Sequence, residues 1–406
     1  MPEGAELFQL LLFLCLTLLA LLRVEREERF LWFEEEGSVE LRVISPPQES
    51  GEGLRAKVEI LGGDFPELRG KRALLLLYGS TDLPSSAFSM FAKVRAEGSR
   101  VFIKGSYRDV EDLISTKPGI RDLYIKRVEE RFKDTRIRAL LLTYLLGEAR
   151  ELLPQDLQYY FLRTGLIHLL VISGFHVGMV FFVLRFFLPY PYGLWLGAVG
   201  VSLYVLLLLP QEPPVLRAWL MLLLWVLVRL REGRPNTLGI LFFSASLLLL
   251  IEPSFVRSYS FWLSFFATLY ILLGLRLLPN SGSLIHRYIL LPTALSFFAF
   301  LGVSPLLLSF TSTSMGGIVF STPVGYLFFP FTLYGILQIL TFFSLPTLPL
   351  ELSGKLILQV VSLLSNLDME LRIPLSTRNA YVLSFSIALF LYTLGLFRKS
   401  SRSFRG

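Results

Sequence analysis

One short segment of the chain places hydroxyl, imidazole and glycine positions inside an otherwise apolar stretch: Thr164-Gly-Leu-Ile-His168-Leu-Leu-Val-Ile-Ser173-Gly174-Phe-His176-Val-Gly178. A polar side chain inside a membrane must be paired, face water or reach the interface. The segment therefore predicts either a helix-packing contact or part of a hydrophilic path. On an uninterrupted helix Ser173 and His176 would share a face, so an intramembrane serine hydrolase is a further alternative. The sequence indicates neither an orienting third group nor an oxyanion hole for that reaction.

A second polar pattern follows later in the chain. Its members are spaced as i, i+3, i+7 and i+11, along one side of a helix: Arg257, Ser260, Ser264 and Thr268. Hydroxyl residues recur in the next apolar segment at Thr293, Ser296 and Ser304. Such stripes are either packing seams, in which Ser and Thr bond their own helix, or walls of a polar path.

Arg217 lies one turn after Pro213-Pro214. Its side chain either snorkels to the interface or faces the same polar path. On the polar-path interpretation we predict one pore-lining or gating set: His168, Ser173, Gly174, His176, Arg217, Arg257, Ser260 and Ser264.

The inventory of reactive residues argues against an enzyme. The single Cys15 excludes an internal disulfide, and no Walker A sequence, HExxH motif or acidic metal cluster occurs. We therefore predict a transport protein with no catalytic residue, no cofactor and no metal site. Coupling to ATP would require a partner.

Composition indicates a membrane protein. Of 406 residues, 53% are hydrophobic and only 17% are charged, whereas a soluble domain has roughly 25% charged residues. The net charge of +7 is uneven: residues 136–406 hold 19 bases and 9 acids, and residues 23–135 hold 20 bases and 21 acids. Part of the basic excess reflects membrane topology, and any remainder suits a polyanionic cargo.

The elements that must position these residues are predicted to be about nine to ten membrane-spanning helices, making a polytopic α-helical membrane protein. Residues 1–23 are interpreted as a retained anchor, since neither a basic start nor a cleavage site supports a signal peptide. The other candidate spans are 166–188, 193–209, 214–230, 236–251, 256–278, 287–310, 318–343, 356–371 and 379–397. An even number of spans would place the basic loops and the C-terminus in the cytoplasm.

Between residues 37 and 105 the hydrophobic pattern changes to alternation. Turn residues separate five β-prone segments, which predict a small all-β barrel with the oligonucleotide-binding (OB) barrel as one candidate: 39–43, 54–61, 72–78, 91–94 and 101–104. Residues 106–163 then predict a helical, partly amphipathic connector, and residues 164–400 the channel domain.

Several segments resemble landmarks of the ComEC competence family. They are Ala139-Leu-Leu-Leu-Thr-Tyr-Leu-Leu-Gly147-Glu148, Gly165-Leu-Ile-His168, Ile172-Ser173-Gly174-Phe-His176-Val-Gly178, Arg217-Ala218-Trp-Leu-Met221 and Ser260-Phe-Trp-Leu-Ser264. Ile167 replaces a usual Ser, and Phe320-Ser321-Thr322-Pro323 replaces an Asn-Leu-x-x-x-Pro landmark. We find no counterpart of the C-terminal metallo-β-lactamase-like domain that many members carry, and expect a short form of the family.

The resemblance implies translocation of single-stranded DNA across the cytoplasmic (inner) membrane during natural transformation. It implies an extracytoplasmic OB-like domain that receives DNA and a helical bundle that forms the conduit. The implied partners are single-stranded DNA, the DNA receptor and cytoplasmic translocation ATPase of the competence machinery, a separate nuclease, and the lipid bilayer. A small-solute or ion transporter is the alternative from another class.

Single strands bind to basic grooves with aromatic stacking platforms. We therefore predict a DNA-binding set on the β-domain: Arg42, Arg55, Lys57, Lys71, Arg72, Tyr78, Lys93 and Arg95. The net charge of −1 over residues 23–135 argues for guidance of the strand rather than tight binding.

Overall fold

The chain forms two compact units. The computed structural model describes residues 3–29, 32–43, 48–50, 53–79, 87–97, 100–113, 119–147, 153–170, 172, 174–279, 283–367 and 369–403. The helical unit comprises Met1–Ala20, Ile120–Glu148 and Leu153–Gly406, and the β unit comprises Leu21–Gly119 and Ala149–Leu152. Ser173, a member of the predicted pore-lining set, lies outside the described residues.

The β unit is a closed sheet. Its described strands are β1 (Trp32–Val43), β2 (Gln48–Ser50), β3 (Gly53–Gly63), β4 (Arg72–Tyr78), β5 (Ala87–Glu97), β6 (Arg100–Ser106) and β7 (Val110–Leu113). Five of them pair in the ring order β1-β3-β4-β6-β5, which returns to β1 through a β1–β5 pairing. The β4–β6 pair is parallel and the other ring pairs are antiparallel. Closure of the ring leaves its strands without an unpaired edge.

Every second side chain of the ring strands points inward, and these side chains fill the interior of the ring. Val39 and Leu41 on β1 are fully buried, and Val58, Leu75 and Ile103 meet them in one apolar core. The intervening residues point outward, as the period of two requires. The sequence pattern predicted a strand at each of the five ring positions. The predicted segments for β1 and β5 are shorter than these strands, and β2 and β7 were not predicted. Charged outward residues interrupt the apolar pattern along β1, which is why that strand was underestimated.

The described residues form fourteen α-helices, all in the helical unit except the part of α1 after Ala20. They are α1 (Glu3–Arg29), α2 (Ile120–Arg131), α3 (Thr135–Leu146), α4 (Gln155–Arg163), α5 (Ile167–Leu170), α6 (Gly174–Arg185), α7 (Tyr192–Leu208), α8 (Pro213–Leu230), α9 (Thr237–Ile251), α10 (Tyr259–Leu277), α11 (Leu291–Leu307), α12 (Gly316–Leu340), α13 (Leu348–Leu364) and α14 (Thr377–Ser403). Two further strands, β8 (Thr313–Ser314) and β9 (Glu370–Leu371), pair antiparallel and tie the α11–α12 connection to the α13–α14 connection.

Five helical segments in the described part of the chain are long and apolar enough to cross a membrane: Phe8–Glu25, Pro213–Leu230, Tyr259–Leu277, His286–Leu307 and Gly316–Leu340. Three apolar helices, α6, α7 and α9, are shorter. The chain is therefore a mostly helical protein with several candidate spans and an N-terminal β-sheet unit. The count of nine to ten spans stays a prediction.

Two predicted spans have the wrong boundaries. The segment 356–371 is instead α13, which begins at Leu348 and ends at Leu364, followed by strand β9. Pro349 in the first turn suits a helix start, and polar Ser365 and Asn366 follow its end. The segment 166–188 is not one helix, because α5 ends at Leu170 and α6 begins at Gly174.

Helix α3 is buried along most of its length. Every residue from Ala139 to Leu146 is buried. Its Asp134 N-cap accepts hydrogen bonds from the amides of Arg136 and Ile137, which fixes where the helix begins. A helix buried on all sides reads as uniformly apolar in sequence, and the Leu-rich run here fits that rule.

Helix α1 contacts the rest of the helical unit at two positions along its length. Phe13 is fully buried and stacks on Phe265 of α10 with a ring-centroid distance of 4.8 Å. Nearer the N-terminus, Glu6 accepts hydrogen bonds from Arg276 at 2.7 Å and from Asn236 at 2.9 Å. The start of α1, the start of α9 and the end of α10 therefore meet at the same end of the bundle.

Candidate functional site

The outer face of the β unit collects basic and aromatic residues in two rows across β3, β4, β6 and β5. Strand register places Lys57, Leu74, Phe102 and Arg95 side by side in the first row. The second row contains Arg55, Leu76, Lys104 and Lys93. We call these eight residues the basic face. Arg55, Lys93, Arg95 and Lys104 are exposed, and Leu74 is 39% exposed.

Acidic residues of β1 border the basic face. Glu34 and Glu36 lie opposite Arg95 and Lys93 in the β1–β5 register. The ammonium of Lys93 lies 2.8 Å from the carboxylate of Glu34, and this hydrogen bond lowers the pKa of Glu34. Such an exposed pair contributes little to stability. It does reduce the positive potential that the face presents to a polyanion.

The remaining members of the predicted DNA-binding set lie beside this face. Arg42 is 3.8 Å from Glu59, so its charge is partly balanced. Arg72 pairs in register with Glu59, although its side chain, like that of Lys57, lies outside the described residues. Lys71 precedes β4, and Tyr78 ends that strand.

The sequence prediction missed Phe102 and Lys104, which complete the two rows. Phe91 was also missed; it lies outward on β5 and is 46% exposed. Alternation within the predicted strand 101–104 already placed Phe102 and Lys104 on the same face. What the sequence could not supply was the parallel β4–β6 register that sets them beside Leu74 and Leu76.

In the helical unit, a glycine-packed junction joins the segment after α4 to the start of α12. Gly165 has φ +72°, and a Cβ there would lie 2.7 Å from both the amide nitrogen of Gly317 and the carbonyl oxygen of Ser314. A side chain on Gly316 would reach the carbonyl oxygen of Thr164 at 2.8 Å. Only glycine permits this backbone-to-backbone approach.

His168 spans the same junction. Its Nδ1 is 2.9 Å from the carbonyl oxygen of Gly165, and its Nε2 is 3.3 Å from Oγ of Ser321 on α12. The first contact requires a protonated Nδ1, so Nε2 of the neutral ring is an acceptor. The Ser321 hydroxyl carries one proton and lies within hydrogen-bond distance of both Nε2 and the carbonyl oxygen of Gly317. The Gly-Leu-Ile-His segment and the Phe-Ser-Thr-Pro segment are therefore in direct contact.

His176 lies in a different environment, 2% exposed on α6. Its ring packs edge-on against Tyr144 of α3, with centroids 4.2 Å apart. The Tyr144 hydroxyl lies 2.5 Å from Oγ1 of Thr332, which itself donates to the carbonyl oxygen of Phe328. Helices α3, α6 and α12 thus meet around a buried polar contact. A role for His176 in lining a pore stays a prediction.

Arg217 does not snorkel. The residue is 6% exposed and its guanidinium reaches from α8 to α10. Nε donates to Oγ of Ser264 at 3.0 Å, Nη2 donates to the same oxygen at 2.5 Å, and Nη1 donates to Oγ1 of Thr268 at 2.6 Å. These two hydroxyls are the later half of the predicted stripe, and with Arg217 they form a polar seam between α8 and α10. We call Arg217, Ser264 and Thr268 the arginine cluster.

A cavity of about 420 Å³ adjoins the arginine cluster, between α6, α8 and α10. Arg217 and Thr268 supply its polar lining, and Gly174, predicted to line a pore, lies in its wall. Most of the remaining wall is apolar.

The other two members of the predicted stripe, Arg257 and Ser260, do not line this cavity. Arg257 is exposed at the end of a 3₁₀ turn before α10, and Ser260 contacts Ser258 at 2.8 Å. Arg257 is therefore not on the helix that carries the rest of its stripe.

Within the described residues, no group of three or more His, Cys, Asp and Glu side chains is arranged to hold a metal ion.

Comparison with known proteins identifies relatives of this chain. A family model described as "Competence protein" matches residues 145–399, which include the His168 junction and the arginine cluster. An uncharacterized protein of Aquifex aeolicus (strain VF5) is 38% identical over 346 residues, covering 84% of this chain and 82% of that protein. No solved structure matches.

Proposed function

This chain belongs to the Competence protein family, and we propose that it translocates single-stranded DNA across the cytoplasmic membrane during natural transformation. In this proposal the β unit receives the strand and the helical unit forms the conduit. The family supports a role in DNA uptake. The basic face is the single observation that carries the more specific assignment to a single strand.

The topology of the β unit supports an OB-like assignment. OB barrels are five-stranded Greek-key barrels that bind oligonucleotides on the sheet face. The ring order β1-β3-β4-β6-β5, with its parallel β4–β6 pair, is the order expected of that barrel. Phe102 and Phe91 offer stacking surfaces beside Lys93, Arg95 and Lys104, as single-strand binding requires. The acidic border on β1 favours weak, reversible contact, which suits delivery of a strand.

The conduit must surround the DNA phosphates with water or polar groups, because an unpaired charge in hydrocarbon is very costly. We propose that the described members of the predicted pore-lining set outside the arginine cluster and its cavity contribute to it, with His168 at the glycine-packed junction and Arg257 at the bundle end. Uptake by His176→Ala and Arg257→Ala, with membrane abundance measured, tests this part. Normal uptake by both variants would remove these two residues from the path.

We propose that the β unit lies outside the cell and that the basic loop containing Arg229, Arg231 and Arg234 lies inside. The hydrogen bond between Glu6 and Asn236 brings the start of α1 to the start of α9, which directly follows this loop. This contact supports a cytoplasmic N-terminus, because it puts the N-terminus on the same side as the loop. A membrane-impermeant thiol reagent tests the orientation in a Cys15→Ser background. It should label Arg69→Cys in intact cells and Arg234→Cys only after lysis; the reverse pattern would exclude this orientation.

Salt-dependent binding of labelled oligo-dT to the purified full-length chain tests the receiving face. Each lost phosphate contact should reduce the slope of log K against log salt by about 0.7. The variant Lys93→Gln/Arg95→Gln/Lys104→Gln should therefore bind more weakly with a slope shallower by up to about 2. Arg69→Gln is the matched control, because Arg69 is exposed but lies off both rows. Equal slopes for the triple variant and the control would refute the assignment.

A further inference from the structure

We propose that the cavity between α6, α8 and α10 is a binding site for one anionic phospholipid. The lipid phosphate lies on the Arg217 guanidinium, and an acyl chain lies along the apolar part of the cavity. This site goes beyond the transport of DNA, and it is tested without DNA transport.

The first reason is an uncompensated charge. Among the described residues, the Arg217 guanidinium hydrogen-bonds only to neutral groups, namely Ser264, Thr268 and the sulfur of Met221. No carboxylate occurs among the described residues that line the cavity. A buried cation without a counter-charge is costly, so an anion that enters the cavity gains a charge-assisted hydrogen bond and relieves that cost.

The second reason is the distribution of polarity along the cavity. On α8 the lining runs from Arg217 to Trp225, which is about 12 Å at 1.5 Å per residue. Arg217 and its partner Thr268 occupy one end, and the walls beyond them are formed by Val177, Phe181 and Trp225. A site that is cationic at one end and apolar along its length matches an amphiphile with a single anionic headgroup.

Glycines make the space for a chain. A Cβ added to Gly178 on α6 would meet no atom within 4 Å, and one added to Gly174 would meet only the Cβ of Ala218 at 3.6 Å. Both glycines line the cavity. The α6 wall is therefore recessed where it faces α8, in contrast to the tight glycine contacts at Gly165.

The position of Arg217 along α8 and the number of cations in the cavity favour a lipid over the DNA strand. Arg217 is the fifth residue of α8, about 6 Å from the start of the helix, which is close to the interface. A guanidinium donates charge-assisted hydrogen bonds to a phosphate, the group that a phospholipid presents at this depth. A DNA strand carries a phosphate at every nucleotide, and this cavity presents a single cation followed by an apolar wall.

The test titrates purified full-length protein in neutral detergent with phosphatidylglycerol or phosphatidylcholine of the same acyl chains, with Tm as the readout. Wild type should bind phosphatidylglycerol about tenfold more tightly than phosphatidylcholine. Arg217→Gln should lose this preference. Arg217→Lys should keep part of it, since an ammonium keeps the charge without the fork geometry.

Gly178→Leu tests the chain groove while leaving the arginine cluster intact, so the test does not depend on the folding of Arg217→Gln. It should weaken phosphatidylglycerol binding about tenfold. Gly325→Leu is the matched control, because a Cβ there also meets nothing within 4 Å and Gly325 lies on α12, away from the cavity. This control should bind as wild type does.

Three results would overturn the proposal. One is an unchanged phosphatidylglycerol preference in Arg217→Gln together with an unchanged phosphatidylglycerol affinity in Gly178→Leu. Another is an equal Tm shift from inorganic phosphate, which would indicate a simple anion site. The third is displacement of phosphatidylglycerol by oligo-dT in wild type and in Lys93→Gln/Arg95→Gln/Lys104→Gln alike, which would assign the cavity to the DNA path. Failure of the lipid proposal leaves the salt-slope test of DNA binding unaffected.

Discussion

Replacing Gly165 by Ala tests the glycine-packed junction. The residue has φ +72°, a conformation that costs an L-residue about 1–2 kcal/mol. The new Cβ would also lie 2.7 Å from two backbone atoms, the nitrogen of Gly317 and the carbonyl oxygen of Ser314. Backbone atoms cannot rotate away, so the start of α12 must move. We expect a total loss of at least about 2 kcal/mol in the free energy of unfolding.

Two matched variants separate the strain from the steric clash. Gly316→Ala places a Cβ 2.8 Å from the carbonyl oxygen of Thr164. Gly316 is the first residue of a helix, where alanine adopts the backbone conformation without strain, so this variant tests the clash alone. Gly325→Ala has open space inside the same helix and should be neutral or stabilising by up to about 1 kcal/mol.

The readout for these variants is Tm from tryptophan fluorescence of the purified full-length chain in detergent. Gly165→Ala should lower Tm by about 4 °C or more, Gly316→Ala should lower it less, and Gly325→Ala should not lower it. A Tm for Gly165→Ala equal to that of Gly325→Ala would refute the close approach of the two segments.

Three further variants probe other contacts by Tm. Tyr144→Phe removes the hydroxyl that meets Thr332 and should cost about 1 kcal/mol; an unchanged Tm would show that the contact is not stabilising. Phe13→Ala should cost a few kcal/mol by emptying the fully buried site where α1 docks, and a loss no larger than that of an exposed α1 residue such as Leu18→Ala would contradict docking. Arg372 lowers the pKa of Glu370, so this stabilisation is present above the ordinary carboxyl range and disappears as the pH falls. The Tm of wild type should therefore converge on that of Glu370→Gln in acid, and a constant difference would oppose the assignment.

Sequence patterns predicted the class of the fold well where one physical signal dominated. Apolar runs located most of the apolar helices, including the five candidate spans, and alternation located the five ring strands. The same signals failed at boundaries: hydropathy extended through residues 166–188, although α5 and α6 are separate helices. The interpretation of His168 and His176 as parts of one uninterrupted helix depended on that continuity. The two histidines instead contact different partners, Ser321 and Tyr144.

The candidate sites depended on contacts between distant segments, which a single sequence does not supply. Residue type singled out Arg217, but its partners Ser264 and Thr268 lie 47 and 51 positions later. The cavity beside it arises from three helices and two glycines. On the β unit, alternation predicted which residues point outward, whereas the β4–β6 register decided which of them become neighbours.

The central claim is that this chain carries single-stranded DNA into the cell and that its basic face receives the strand. The most direct test measures uptake of labelled DNA in competent cells that lack the protein and in the same cells complemented with wild type, with Arg69→Gln or with Lys93→Gln/Arg95→Gln/Lys104→Gln, at matched membrane abundance. We expect no internal DNA without the protein, full recovery with wild type and Arg69→Gln, and impaired recovery with the triple variant. Normal uptake in cells that lack the protein would show that this chain does not carry the DNA, and full recovery with the triple variant would remove the role of the basic face.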